Sequence, residues 1–456
     1  MSEQASRKLA AHRFHIHVIN VGILHAALTV GTAGVLVKLI ATGKEIAVAA
    51  AFGRSDAMDA FLVAFLIPNL LVNLISESMN QALIPTLIRV REREGPESAQ
   101  RLLSSSMLWI GCLLVCFSVA MAAMAPAIFP LLASNFAPAK LVLAEHLFYA
   151  LLPMVLASGI ATNCTAVLNS LDRFTWPALA PAVTSVSVIV AVATVSARFG
   201  IWTMVYAIVF GSFLHAVIVA GQMQAHGYRF SLRWHGHTAA MREVGRQYGP
   251  VLMGGVVASS GLLVDQSMAA WLPAGSVSAL VYANRFVGVV LTLMAGAIST
   301  AVVPSFSRMV AYQDWAGCRA TVSHWVRRTL LVSTAVTIVL IACARPLVRV
   351  ALQHGAFGAA DTAVVSVVLA MYAIQIPFYV SSRVYYRLII SARRTDLIFY
   401  GGIINLVLDV VLNLVLMHWF GVAGIALATS LWTVSTFIFL RYWALRLMAQ
   451  GMQTAA

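Results

Sequence analysis

Long apolar blocks recur through the whole chain, with only short polar connections between them. Residues 103–132, 143–170 and 397–418 are examples, and each exceeds the about 20 apolar residues that a helix needs to cross a bilayer. Backbone in hydrocarbon must satisfy its own hydrogen bonds, so blocks of this kind fold as helices. A string of soluble domains is excluded. Composition agrees: 61% of the 456 residues are hydrophobic and 10% are charged, against about 25% charged in soluble domains.

The predicted spans are approximately 19–52, 57–88, 103–132, 143–170, 176–198, 201–223, 246–272, 276–307, 326–352, 362–390, 397–418 and 421–447. The first is long and contains Gly22, Gly31, Gly34 and Gly43, which predicts a bent or broken helix. The expected fold class is all-α: a polytopic membrane protein of about twelve transmembrane helices, in two six-helix bundles around a central cavity. The expected divisions are a tail at 1–18, a first bundle at 19–223, a linker at 224–245, a second bundle at 246–447 and a tail at 448–456.

Two features suggest the halves. Ile84-Pro85-Thr86 near the end of span 2 is matched by Val303-Pro304-Ser305 near the end of span 8. Pro153 in span 4 is matched by Pro377 in span 10. Repeats of six spans keep the same membrane orientation, which places a pseudo-two-fold along the membrane normal.

The formal net charge of +14 would suggest nucleic acid in a soluble protein. Here arginines gather in alternate connections: Arg89, Arg91 and Arg93; Arg229, Arg233 and Arg242; Arg319, Arg327 and Arg328. That is positive-inside topology, and it predicts both termini in the cytoplasm with no nucleic-acid partner. The N-terminal apolar run lacks an A-x-A cleavage signal and reads as a retained helix. Cys112 and Cys116 have helical spacing but no His or Cys pair completes a ligand set, so no metal or cofactor is expected.

Ionised side chains inside spans cost about 2.5–3.5 kcal/mol each on insertion scales and mark functional sites. Lys38, Lys44 and Arg285 are the candidate contacts for an anionic headgroup; a guanidinium gives bidentate bonds to phosphate. Lys38 and Glu45 are seven residues apart, on one helical face. The alternative is that Lys38 pairs with Glu45 or snorkels to the interface. Asp59, Glu45, Glu77 and Asp265 are the candidates for gating or ion coupling. Asp59 follows the outer turn Gly53-Arg54-Ser55-Asp56, where it could pair with a lysine when one side closes, or stabilise a helix N-terminus. Asp265 could be a counter-ion to Arg285. Arg383 and Asp409 are further intramembrane charges. Phosphate-loop, nucleophile-elbow and H-E-x-x-H motifs are absent, so the chain reads as a transporter without an ATPase motif, not an enzyme.

Ordered short matches run through nearly the whole chain. They include Ala51-Phe52-Gly53, Asp59-Ala60-Phe61, Pro68-Asn69-Leu70-Leu71, Arg173-Phe174, Gly275-Ser276-Val277-Ser278 with Tyr282-Ala283-Asn284-Arg285, and Gly421-Val422-Ala423-Gly424. On these the chain resembles the MurJ/MviN family of lipid II flippases, within the multidrug/oligosaccharidyl-lipid/polysaccharide exporter superfamily. The resemblance implies cavity cations at Lys38, Lys44 and Arg285 and the family carboxylate at Asp59. Lysines stand at the first two positions where the family usually has arginines, and a lysine is a point charge, not a fork. Val72 and Asn73 stand where an arginine pair usually follows. The family commonly has fourteen helices, against about twelve here.

The expected function is alternating-access flipping of a lipid-linked oligosaccharide, with lipid II as the leading substrate, across the bacterial inner membrane. The expected partners are that substrate, membrane lipids and a coupling cation or the membrane potential, with the chain a monomer. The alternatives are a flippase for another polyprenyl-linked polysaccharide, a MATE-like drug exporter and a non-transporting scaffold in envelope assembly.

Overall fold

A computed structural model describes residues 32–455 except His237 and Arg393, without side-chain detail at 76, 77, 257, 258, 296–305, 307, 308, 311, 395, 454 and 455. Helix α1 covers residues 32–52. It is followed by α2 (Asp56–Glu94), α3 (Pro96–Leu132), α4 (Pro138–Ser170), α5 (Thr175–Leu179), α6 (Ala182–Phe199) and α7 (Trp202–Ala225). After an extended linker come α8 (Ala239–Ala270), α9 (Ser276–Ala311), α10 (Trp315–Ala342), α11 (Ala344–Leu352) and α12 (Ala359–Ala373). The last three are α13 (Ile376–Ser391), α14 (Thr395–Phe420) and α15 (Val422–Ala455).

Among the described residues, eleven helical segments are long and apolar enough to cross a membrane. The expected first span begins at 19, outside the described residues. Residues 32–52 run as uninterrupted helix through Gly34 and Gly43, so the expected break is not found there. A helical glycine costs about 1 kcal/mol relative to alanine, less than an unsatisfied backbone group in lipid.

Two other spans divide beside a proline, while Pro68, Pro85, Pro153 and Pro250 lie inside continuous helices. The fifth span breaks at Ala180-Pro181, between α5 and α6, and the tenth at Ile374-Gln375, just before Pro377 at the start of α13. Proline has no N–H to donate and disfavours helix at the residue before it. The ninth span is a correction. Expected at 326–352, it is Trp315–Ala342, and the chain breaks at Cys343 before the separate amphipathic helix α11. That helix buries Ala344, Val348 and Leu352 and keeps Arg345 and Arg349 exposed. The expected span would have drawn both arginines into the membrane.

The same turn recurs in the two halves of the sequence. Gly200 ends α6 with φ 54° and ψ −136°. Gly421 ends α14 with φ 55° and ψ −135°. Each donates its N–H to the carbonyl four residues earlier, Ser196 and Met417, and a long helix starts directly afterwards. Trp202 and Trp419 sit at these ends, as interfacial anchors do.

Packing divides the described chain into two compact units. The first holds residues 32–47, Pro68–Ala123 and Tyr149–Leu252. In it α6 lies along α7, close at Gly211, where an added Cβ would sit 2.7 Å from Thr184 Cα. Gly159 of α4 lets Leu114 of α3 seat against it. The Arg89 guanidinium grips the Glu243 carboxylate through both terminal nitrogens, and Arg91 donates to Ser170 O at 3.0 Å. The second unit holds Val48–Ile67, Met124–Phe148 and Met253–Ala456. Its centre is α13, packed by α9, α10 and α15 and burying Ile376, Val380, Val384 and Leu388. Phe378 and Tyr385 of α13 both meet Phe437 of α15, with ring centroids 5.8 and 5.7 Å away.

Candidate functional site

Two polar constellations stand out in the second unit, and each is assembled from residues far apart in sequence. The first is built around Asp59, which is 1% exposed. Its Oδ2 accepts from Gly275 N at 2.6 Å and its Oδ1 from Ser278 N at 2.9 Å. These amides belong to the start of α9, where helical N–H groups lack internal partners and the helix dipole favours an anion. Lys140 Nζ lies 3.5 Å from Asp59 and 2.6 Å from Asp56. The carboxylate of α2 thus caps α9 and is balanced by a lysine from α4.

The turn before α2 locks into the same place. Arg54 Nε donates to Gly275 O at 2.9 Å, and its Nη1 lies 3.4 Å from Asp361 Oδ1 in α12. Tyr282 Oη donates to Gly53 O at 3.1 Å, and the Tyr282 ring meets buried Phe357 edge-on at 5.8 Å. Ala356 N donates to Ala50 O at 2.7 Å. Backbone meets backbone here because two glycines permit it. Gly53 (φ 55°) and Gly355 (φ 58°) are both left-handed. An added Cβ at Gly53 would be 2.6 Å from Ala356 O, and one at Gly355 would collide with Ala50 O. The result is a latch joining α1, α2, α4, α9 and the α11–α12 connection.

The second constellation is a buried carboxylate pair. Asn413 Nδ2 donates to Asp265 Oδ1 at 2.8 Å and to Asp409 Oδ1 at 3.2 Å. Thr429 Oγ1 donates to Asp265 Oδ2 at 3.0 Å. Asp409 Oδ2 and Asn413 Oδ1 are buried without a hydrogen-bond partner among the described residues. Gly261 brings α8 close, so that an added Cβ would lie 3.3 Å from Asp409 Oδ2. Two carboxylates, an amide oxygen and a hydroxyl form an all-oxygen set, and buried polar oxygens without donors cost free energy. A hard cation or a proton satisfies them.

The other predicted residues fall as follows. Lys38 is exposed on α1. Lys44 is partly exposed, and its Nζ lies 3.0 Å from Glu45 Oε1, so the lysine that reaches Glu45 is its neighbour. Arg285 is exposed on α9, two turns into the helix. Asp265 is held by Asn413 and Thr429, not by an arginine, among the described residues. The Glu77 side chain lies outside the described residues. Arg383 stacks on Tyr379 at 4.3 Å and bonds its hydroxyl.

Sequence reasoning did not single out Lys140, Asp361, Gly355 or Thr429 as functional. Lys140 and Asp361 lie at helix starts, where charges are commonplace. Gly275-Ser276-Val277-Ser278 was noted, and its amides turn out to receive Asp59.

Eleven apolar spans among the described residues, with charged side chains buried between them, define a multi-pass membrane protein, and the comparisons with known proteins agree on that class. The chain resembles the inward-facing structure of a multidrug resistance MATE family transporter (TM-score 0.77, 14% identity, covering 94% of this chain and 100% of that one). It also resembles the lipid II flippase MurJ in an inward closed conformation (TM-score 0.77, 22% identity, 91% and 87% covered). The family model "Lipid II flippase MurJ" matches residues 48–454, and the chain belongs to that family. A probable lipid II flippase MurJ of Buchnera aphidicola subsp. Acyrthosiphon pisum is 22% identical over 423 residues, covering 92% of this chain and 83% of that one. The chain is accordingly a multi-pass protein of a bacterial inner membrane.

Proposed function

We propose that this protein moves lipid II, or a closely similar polyprenyl-linked oligosaccharide, from the inner to the outer leaflet by alternating access. Family membership along nearly the full chain carries the reading. Lys38, Lys44 and Arg285 are each assigned to the pyrophosphate, and the polyprenyl chain stays in lipid. The Asp59–Lys140 latch is the outer gate: it holds α9 to α2 when that side is closed. Substrate shifts such a gate only by binding its open and closed states unequally.

The Asp265–Asp409–Asn413–Thr429 set is assigned to the coupling cation, supported by the two orphaned oxygens. Both termini are assigned to the cytoplasm on the arginine pattern. The moving bodies are assigned to the bundles 19–223 and 246–447, and the working unit to a monomer.

The test is reconstitution into vesicles with labelled lipid II beside other polyprenyl-linked sugars. Lipid II should cross faster than in protein-free vesicles, and a Lys38→Ala protein should be slower. A flat response to every lipid from a folded sample would favour the scaffold reading instead.

A further inference from the structure

A hollow of about 410 Å³ lies in the first compact unit, along α3 and α4 and beneath the linker between α7 and α8. Gly111, Cys112 and Val115 line it from α3, Gly159 from α4, and Phe230 and Leu232 from the linker. It exists because α3 has no side chain at Gly111, where an added Cβ would meet nothing within 4 Å. Asn163 also lines it, and its Oδ1 is buried with no partner among the described residues.

The linker is fixed in place over this hollow. Gln100 pairs with both backbone groups of Arg229, at 2.8 and 2.9 Å. Ser104 bonds the backbone at Ser231 and Arg233, and Ser105 at His235. The odd-numbered residues are thus tied to α3, while Phe230, Leu232 and Trp234 stay 38%, 54% and 42% exposed. A second hollow of about 250 Å³ is bounded by Trp109, the chain neighbour of Leu108 and Ile110 of the first, and by Trp234, Met241, Arg242 and Gly245. An exposed arginine that lines one hollow with two tryptophans has the chemistry of a membrane interface that meets phosphate.

The length of the apolar hollow fits one leaflet. Met107 to Cys116 spans nine helical steps, about 13.5 Å at 1.5 Å each, close to half of the roughly 30 Å hydrocarbon core. A hollow of that length holds the part of a lipid chain nearest its headgroup and does not reach the opposite leaflet. The neighbouring connections are rich in exposed arginine (Arg229, Arg233 and Arg246), which favours an anion.

We propose that these two hollows together form a binding site for an anionic glycerophospholipid of the arginine-rich leaflet, one acyl chain lying along α3 and α4 and the phosphate at Arg242.

The full chain, purified and delipidated in detergent, is titrated with phosphatidylglycerol, with phosphatidylcholine of the same chains, and with polyprenyl phosphate. Native mass spectrometry should show one retained phosphatidylglycerol and at least tenfold weaker retention of phosphatidylcholine. Phosphatidylglycerol should slow maleimide labelling of Cys112 and Cys116, which are exposed on the hollow, while exposed Cys343 is unaffected. Gly111→Leu, which fills the hollow, and Arg242→Ala should each weaken retention about tenfold, the loss of one charged contact; Arg198→Ala should not. Equal protection by phosphatidylcholine would reduce the site to ordinary lipid contact and overturn the proposal. So would tighter binding of polyprenyl phosphate, which would reassign the hollow to the substrate chain. Retention unchanged in both variants overturns it as well, and the labelling of wild-type thiols gives an answer even where a variant does not fold.

Discussion

Replacing Asp59 with asparagine tests the latch directly. Asparagine keeps one acceptor oxygen and loses the charge. One of the two N-terminal amides of α9, Gly275 or Ser278, then faces an NH₂ group instead of an oxygen. A hydrogen bond to a charged group contributes about 1.5–3 kcal/mol, and the second one weakens when the charge goes. Lys140 loses one of its two carboxylates but keeps Asp56 at 2.6 Å, so it is not stranded. The closed latch should lose about 2–4 kcal/mol, or roughly 30- to 700-fold in the closed-to-open ratio at 1.4 kcal/mol per tenfold. The reporter is a cysteine at Ala279, which is wholly buried in the first turn of α9, in a background without the five native cysteines. Its labelling by a membrane-impermeant maleimide should be slow with Asp59 present and at least tenfold faster in Asp59→Asn. In a double-mutant cycle with Lys140→Met the two changes should be non-additive, because they share a contact. Labelling within twofold of the parent in a folded Asp59→Asn protein would refute the latch and leave Asp59 as a static cap.

Gly355→Ala should lower the melting temperature in detergent by an amount corresponding to more than about 1–2 kcal/mol, the cost of left-handed backbone alone, since the new Cβ also meets Ala50 O; an unchanged melting curve would count against that packing. If the carboxylate set takes a cation, sodium should raise the melting temperature of the parent, by about 2.7 kcal/mol at a hundredfold excess over Kd. That response should vanish in Asp265→Asn and Asp409→Asn; a persistent one would place the ion elsewhere. Lys44→Ala and Arg285→Ala should each slow lipid II translocation about tenfold with folding intact, and normal transport in both would remove these residues from headgroup binding.

How much of this molecule its residues disclose depends on the range of the interaction concerned. The helical fold class and membrane residence follow from a local rule: backbone in lipid must bond to itself. The breaks beside Pro181 and Pro377 do not, since Pro85, Pro153 and Pro250 sit inside unbroken helices. The ninth span shows where local reading stops. Hydropathy treats residues 326–352 as continuous, while the fold begins its helix at Trp315 and detaches Ala344–Leu352, on which Arg345 and Arg349 stay exposed. Asp59 and Asp265 were visible as charges in apolar surroundings, because burying a charge is costly wherever it occurs.

Their partners were not visible. Asp59 meets Gly275 and Ser278 more than 200 positions away, and the Asp265 group draws on Asn413 and Thr429 from two other helices. Composition and periodicity say that a buried carboxylate needs donors but not which helix supplies them. That choice is made when side chains pack, and here it turns on glycines such as Gly53, Gly355 and Gly261, whose missing Cβ atoms let the partners approach. The sequence alone therefore determines that this chain crosses a membrane as many helices with a few costly charges inside. The tertiary structure decides which of those charges are latched, which share one buried cluster and which stay exposed.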